Sequence, residues 1–543
     1  MRLLITITVL LGVATDASGQ RAIHDSGGPL PAEQAAYDVL HYDLALRVNP
    51  EAKSIRGSLA AYARATQALR HFVLDLDTLL VVDSVMSAGT PARRLPFERR
   101  GGQLRIDLGR VHEPGDTVNA RVWYGGTPLE QRHVPRSWSD GVVWARTAGG
   151  QPWVSVVSVL NGADVWWPVK DHPSDEPDSM ALRITVPRGL EVAANGRLRS
   201  MSDGPDGSRT FHWFISDPVN NYAVSINIAP YVVLREDYTS VTGERFPFVF
   251  WVLPESEQDG RRALPGFMRS LRFLEETLGP YPFRGDKFGV VQTPYYGMEH
   301  QSINAYGSDF RLNAWGFDDL FFHELTHEWW ANMVTARDWK DWWIHESFGS
   351  YMTPLFVESL QGEAAYRDAL SRRPFRVPED MPLAPRNTQT TRDIYGSHIY
   401  GKGSLVLHTL RGLIGRDAMM RALRRFAYPE PARASQPGCR CRLADTDEFI
   451  RIVEEVSGQS VQWFFDVYLH QPKLPVLHVE RQAELIVFRW ETGGLPFPMP
   501  LEVRVDGQRQ RLLMRDGVGT VRARANAVID IDPDGRILMH VSE

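Results

Sequence analysis

The sequence predicts a multidomain α+β protein, and three observations carry that prediction. Residues 35–235 repeatedly alternate apolar and polar side chains, the period of half-buried strands. From about residue 240 the apolar spacing lengthens to that of helices, and the last 70 residues return to the strand period. At roughly 150 residues per domain, 543 residues suggest three to four domains.

The chain opens with Arg2, an apolar run from Leu3 to Val13, and the small-residue junction Ala17-Ser-Gly19. This pattern predicts a secretory signal peptide over residues 1–19, cleaved near Gly19, and an exported protein, periplasmic or secreted. The run is too short to span a bilayer, no other long apolar stretch follows, and no membrane span is expected. His41 to Val48, Leu104 to Leu108, Val118 to Val122, Met180 to Val186 and Ala223 to Ile228 then read as strands of antiparallel sheets. Phe246 to Leu253 and Phe288 to Val291 are further strands. Helices are expected over Gly260–Leu278, Asp318–Thr335, Trp342–Leu360, Gly403–Phe426 and Asp445–Val456, with Gly458 ending the last. Glu484 to Trp490, Leu501 to Val505 and Arg511 to Met514 return to strand, with turns at Asp506-Gly507 and Asp516-Gly517.

Composition narrows the function classes. With 43% hydrophobic and 23% charged residues the chain is neither disordered nor collagenous. Sixty Lys and Arg against 66 Asp and Glu leave a net charge of −6, with no broad positive field for nucleic acid. Cys439 and Cys441 are separated by one residue, and a bridge so short is geometrically restrictive. They are expected to be an incidental loop pair. The acidic stretch from Asp171 to Asp178 is expected to be a structural turn rather than a calcium loop.

The chemistry concentrates in His323-Glu-Leu-Thr-His327. Two His at i and i+4 lie one turn apart on one helix face, so both imidazoles reach a single metal ion. Glu324 points beside that ion, where a base for an activated water belongs. Met333 excludes the metzincin arrangement, which needs a third His there. Glu346 lies 19 residues after His327 in a second predicted helix. With the first helix ending near Thr335, both would sit at similar depth in a helix hairpin. Two His and a Glu with an open fourth position make a catalytic zinc site, one Zn2+ per chain. Trp329, Trp330, Trp342 and Trp343 are expected to pack the hairpin.

At this point the chain resembles the aminopeptidase N group of gluzincins, which includes leukotriene hydrolase. The resemblance rests on His323 to His327 followed by Glu346, on Glu328-Trp-Trp-Ala-Asn332, and on Asp341-Trp-Trp-Ile-His-Glu346. It implies that Asn332 and Asp341 orient the ligands. Tyr296-Gly-Met-Glu-His300 is similar to the family's exopeptidase motif, with Tyr296 and His300 departing from it. The resemblance thereby gives Glu299 the substrate's α-ammonium, with Gly297, Met298 and His300 beside it in the substrate site. Tyr400-Gly-Lys-Gly-Ser404 is similar to the motif whose Tyr donates to the oxyanion, and Tyr400 is preferred to nearby Tyr395. Over residues 35–543 the resemblance implies an N-terminal β saddle or sandwich domain (33–239), a thermolysin-like zinc metallopeptidase domain (240–472) and a small C-terminal β-sandwich domain (473–543). Many relatives carry a further helical domain, which this sequence is expected to lack.

The implied activity is a zinc aminopeptidase acting on peptides with a free N-terminus. A zinc endopeptidase and a catalytically inactive peptide-binding protein on the same scaffold are the alternatives. The oligomeric state is left open.

Overall fold

A computed structural model describes residues 25–542, apart from 26, 89–90, 132–138, 373–376, 389, 431–433, 435, 437 and 525. The signal-peptide reading at residues 1–19 lies outside the described residues. Among the described residues no helix is long and apolar enough to cross a membrane.

The N-terminal third builds a seven-stranded sheet, in the order Arg197–Asp203, Ser208–Ile215, Ser179–Pro187, Tyr37–Asn49, Ser54–Ala65, Thr117–Gly126 and Leu80–Met86. The strands at its centre alternate buried and exposed residues, as their sequences require. The expectation of purely antiparallel pairing needs correcting. Tyr37–Asn49 runs parallel to Ser179–Pro187, with His41 opposite Ser179. The long stretch of chain between these two strands supplies the crossover that parallel pairing demands. A four-stranded sheet (Gly141–Arg146, Pro152–Val157, Ile226–Ala229, Glu191–Ala194) and a three-stranded one (Leu69–Asp75, Gln103–His112, Phe97–Arg100) complete this part. Leu44, Leu59, Phe72 and Trp167 are fully buried in the core that these sheets share.

Residues 232–306 form a five-stranded sheet, in the order Val232–Thr239, Arg245–Val252, Phe288–Gln292, Asn304–Tyr306 and Gly297–Met298. The helix Glu257–Leu278 packs on one face through Leu264, Phe267, Leu271 and Leu274. The short edge strand Gly297–Met298 runs antiparallel to Asn304–Tyr306 and carries the chain into Glu299.

Two predicted helices are revised. Asp318 starts the first by accepting from Phe321 N at 3.0 Å, but that helix is Asp319–Thr326 and ends well before Thr335. His327 is its C-cap, and Asn332 N reaches back to the His327 carbonyl and Val334 N to that of Trp329. Val334–Ala336 then pairs as a strand with Arg442–Ala444, which takes those residues out of any helix. Gly403–Phe426 is two helices, Gly401–Ile414 and Arg416–Ala427, because Gly415 turns the chain with φ 88°. The second metal-site helix is Trp343–Gln361, and Thr446–Ser457 ends at Gly458 in the left-handed conformation, as expected.

The last 70 residues hold a four-stranded and a three-stranded sheet. They share one apolar core with the helices, through contacts such as Trp463 and Tyr468 against Phe497. Asp506 and Gly507 make the hairpin turn between Leu501–Val505 and Gln508–Leu512, both with positive φ. The reading of the cysteines is corrected: Cys439 and Cys441 form a disulfide with Cα atoms 5.2 Å apart. Their loop lies on the segment Asp217-Pro218, where Cys439 N donates to Asp217 Oδ1 at 2.8 Å. That anchorage holds the two thiols within reach of each other, which the sequence spacing alone does not do.

Candidate metal centre and active site

The helix Asp319–Thr326 and the first turn of Trp343–Gln361 bring His323, His327 and Glu346 together. Their ligand atoms lie within 4.8 Å of one another, the one such group of three among the described residues. His323 Nε2 is 3.2 Å from His327 Nε2, and Glu346 Oε2 is 3.4 Å from both. A tetrahedral zinc with ligands at about 2.0–2.1 Å spaces those ligands by about 3.3 Å. Glu346 Oε2 is buried and has no hydrogen-bond partner. His327 Nδ1 lies 2.9 Å from the Trp330 carbonyl, which only accepts, so Nδ1 carries the proton and Nε2 presents its lone pair. The residues present therefore fit a zinc ion.

The three residues named from the sequence lie together, but not by way of a simple helix hairpin. His327 closes a helix instead of sitting deep within one. Packing supplies the alignment. Gly349, one turn along the second helix, leaves room for the ring: a Cβ there would lie 3.0 Å from His327 Cε1 and 2.8 Å from Thr326 Oγ1. Trp329, Trp330, Trp342 and Trp343 are all buried around the pair, with Trp330 and Trp343 against Phe348.

Glu324 is buried beside Gly297, where a Cβ would come within 2.4 Å of its Oε1. The edge strand of the exopeptidase-like motif thus lies directly on the candidate base. Glu299 is also buried; it accepts from Tyr222 OH at 3.0 Å, and its carbonyl accepts from Asn332 Nδ2 at 2.9 Å. Burial pushes the Glu299 carboxyl up to about 7. Burial, reinforced by Glu299, pushes Glu324 well up too. Glu346 goes the other way: burial opposes its charge, but the attractions of His327 and His323 together outweigh burial and hold the carboxyl below its usual range. A divalent cation suits a cluster so rich in carboxylate.

Tyr400 and Tyr395 both reach Glu346 Oε1, at 2.8 and 3.1 Å, and their hydroxyls are 2.6 Å apart. Tyr400 caps the helix Gly401–Ile414 and its ring lies 5.9 Å from that of His323. Ser347 fixes that segment: its Oγ donates to the Ile399 carbonyl at 2.6 Å, and only a glycine fits at 403 against it. Burial raises the Tyr400 phenol well above its usual value, which keeps it a protonated donor.

Four expected positions, His300, Met298, Asn332 and Asp341, are buried in the interior. The His300 ring is fully buried without a hydrogen-bond partner, and burial lowers it to about 3, so it is a neutral interior side chain. Met298 is likewise buried. The Asn332 side chain holds the Glu299 carbonyl, and Asp341 accepts from Thr446 N and Oγ1 at 3.0 and 2.6 Å, so these side-chain hydrogen bonds go to the framework and not to the three ligands. Two residues were missed by sequence reasoning: Tyr222, which contacts Glu299, and Tyr395 as a partner of Glu346. Tyr222 lies 77 residues before Glu299 and nothing local marks it.

Residues 268–468 match the peptidase family M1 domain. This part of the chain carries a peptidase family M1 domain. Among its M1 relatives is the leucyl aminopeptidase of Saccharolobus solfataricus, 19% identical over 402 residues, 66% of this chain and 48% of that protein. Aminopeptidase M1-B of Oryza sativa subsp. japonica is 24% identical, over 81% of this chain and 50% of that protein. The chain thus spans about half the length of these relatives. A solved two-domain M1 zinc metallopeptidase in complex with L-tryptophan superposes with a TM-score of 0.66 at 25% identity, covering 83% of this chain and 98% of that one. The M1 zinc metallopeptidase of Deinococcus radiodurans gives 0.65 at 24% identity, covering 81% and 95%.

Proposed function

We propose that the protein is an exported zinc aminopeptidase that hydrolyses the N-terminal peptide bond of peptides. The observation that carries this reading is Glu299, a buried carboxyl next to the edge strand that lies on Glu324, close enough to feel the charges of His327 and Glu346. A carboxylate there recognises a substrate's α-ammonium by a charge-assisted hydrogen bond and sets the cut one residue from the terminus. The domain organisation that accompanies the reading is 33–239, 240–472 and 473–543.

In this reading His323, His327 and Glu346 hold one zinc ion. Zinc supplies Lewis-acid polarisation of the scissile carbonyl and acidifies water. Glu324 takes a proton from the attacking water and returns it to the leaving amine. Tyr400 donates its hydroxyl hydrogen to the developing oxyanion. Tyr222 holds Glu299 in place through its hydroxyl.

A panel of aminoacyl arylamides and short peptides, free or N-acetylated, tests the reading with chelator and zinc add-back. Hydrolysis of free substrates alone, lost with chelator and restored by zinc, is expected. Cleavage of acetylated peptides would make the enzyme an endopeptidase. Binding without turnover would leave a peptide-binding scaffold.

A further inference from the structure

A second cavity of about 710 Å³ lies away from the metal centre, within the range that small organic ligands occupy. It opens where the strand pair Val232–Thr239 and Arg245–Val252 faces the edge strand Arg197–Asp203 of the large sheet. One wall is that strand pair's outer face, where Val233 stands opposite Trp251 and Arg235 opposite Val249. The other wall carries Trp213, Leu198 and Met201.

The charges there do not balance. Arg197, Arg235, Arg245 and Lys287 line the cavity against two acids, Glu191 and Asp237. Asp237 is taken by Arg245 at 3.1 Å. Arg235 is exposed and has no hydrogen-bond or ion-pair partner among the described residues. Arg197 donates Nε to the Asp286 carbonyl. Lys287 is buried, and its Nζ donates to the carbonyls of Ala194 and Ser302 at 3.0 and 2.7 Å, leaving one N–H. That Nζ is held 5.4 and 5.7 Å from the ring centroids of Trp213 and Trp251. Trp213 Nε1 is a buried donor without an acceptor. Donors and positive charge are therefore in excess on a wall made of indole rings. The mouth also exposes Met201 (52%) and Val233 (45%), apolar side chains that gain from being covered.

We propose that this cavity is a binding site for a small carboxylate with an apolar body, an arylalkyl carboxylate in chemical class. The carboxylate meets Arg235 and the Lys287–Trp213 donors, and the apolar body lies on Trp251, Val233 and Met201. Burial lowers the Lys287 ammonium to about 7, against the opposing pull of Asp286 and Glu328 and with help from Arg197, so an anion there also stabilises its charged form. The site is independent of the peptidase reading, because none of its side chains belongs to the metal cluster.

The test uses the zinc-loaded full chain with its active site saturated by an amino-acid hydroxamate, so that carboxylates cannot report the catalytic zinc. 4-Phenylbutyrate and its neutral amide are titrated by calorimetry and tryptophan fluorescence. The acid is expected to bind at least about tenfold more tightly than the amide. Arg235→Glu, an exposed change that leaves turnover intact, is expected to weaken the acid at least about fivefold and the amide little. Lys287→Met, checked for folding by its unfolding transition, should remove the preference for the acid. Equal binding of acid and amide, no binding of either, or an acid affinity untouched by Arg235→Glu would overturn the proposal. So would binding seen only without the hydroxamate.

Discussion

Glu324 and Glu346 are both buried glutamates beside His327, yet their protonation preferences are driven in opposite directions. That split accords with the proposed roles of Glu324 as proton carrier and Glu346 as ligand. Glu324→Gln is expected to lower kcat by about 10²–10⁴-fold with zinc content unchanged, since in the proposed mechanism the side chain moves protons and does not hold the ion. Metal analysis beside steady-state kinetics checks this, and full turnover in the variant would remove Glu324 from the mechanism. The two tyrosines on Glu346 Oε1 call for a direct comparison. Tyr400→Phe should cost about 10²–10³-fold in kcat if its hydroxyl is the oxyanion donor. Tyr395→Phe should cost markedly less, because its hydroxyl acts through Tyr400 and Glu346. The reverse order would exchange their roles.

At the scale of elements, the site is set by how closely three helices and one strand approach. Gly403 and Gly297 mark the two closest contacts, against Ser347 and Glu324 respectively, and Gly349 makes a third against Thr326 and His327. Gly349→Ala is expected to displace the His327 ring and weaken zinc by about 10–100-fold, comparable to the loss of a group that orients a ligand. Competition with a fluorescent chelator measures it, with the unfolding transition as control; unchanged affinity would show that the helix pair has slack. The same elements show what could be read from the chain. The start of the first helix at Asp318 and the stop of a later one at Gly458 are local signals, and both were legible. The end of the first helix at Thr326 was not. Trp329-Trp330-Ala331 continues an apolar pattern, and only the burial of both indoles from several sides, with Ala331 at φ 155°, permits the turn.

At the scale of the whole molecule, the helices and the C-terminal sheets share one core, and His408 is one of the ties between them. It takes a hydrogen bond from Tyr366 OH at Nδ1 (2.8 Å), which makes Nε2 the proton carrier towards the Gly535 carbonyl at 3.0 Å. Burial lowers it to about 4. Between pH 6.5 and 4 the unfolded chain binds a proton there that the folded chain does not, so this histidine removes stability as pH falls. The loss amounts to about 3 kcal/mol at its fullest. His408→Gln keeps a neutral polar group and loses that dependence. Urea midpoints of wild type and variant should therefore draw together as pH falls through this window. A gap that stays constant would mean that His408 titrates normally in the fold.

The shared face of His323 and His327, the candidate base between them and the periods of the strand-rich and helix-rich regions were written in the sequence, because each depends on spacing within one element, whereas the approach of Glu346 depends on the packing of two. A turn of helix puts His323 and His327 on one face whatever surrounds them. The Glu299–Tyr222 bond, the pairing of Tyr395 with Tyr400 on Glu346, the lodging of Gly297 on Glu324, the interior place of His300 and the Cys439–Cys441 bridge were decided only in three dimensions. Most of these join segments far apart in the chain. The spacing of His300 and the cysteines is short, but burial and anchorage by distant residues set their state. Such contacts follow from how sheets and helices pack, and close packing is a property of the assembled core that no local pattern records.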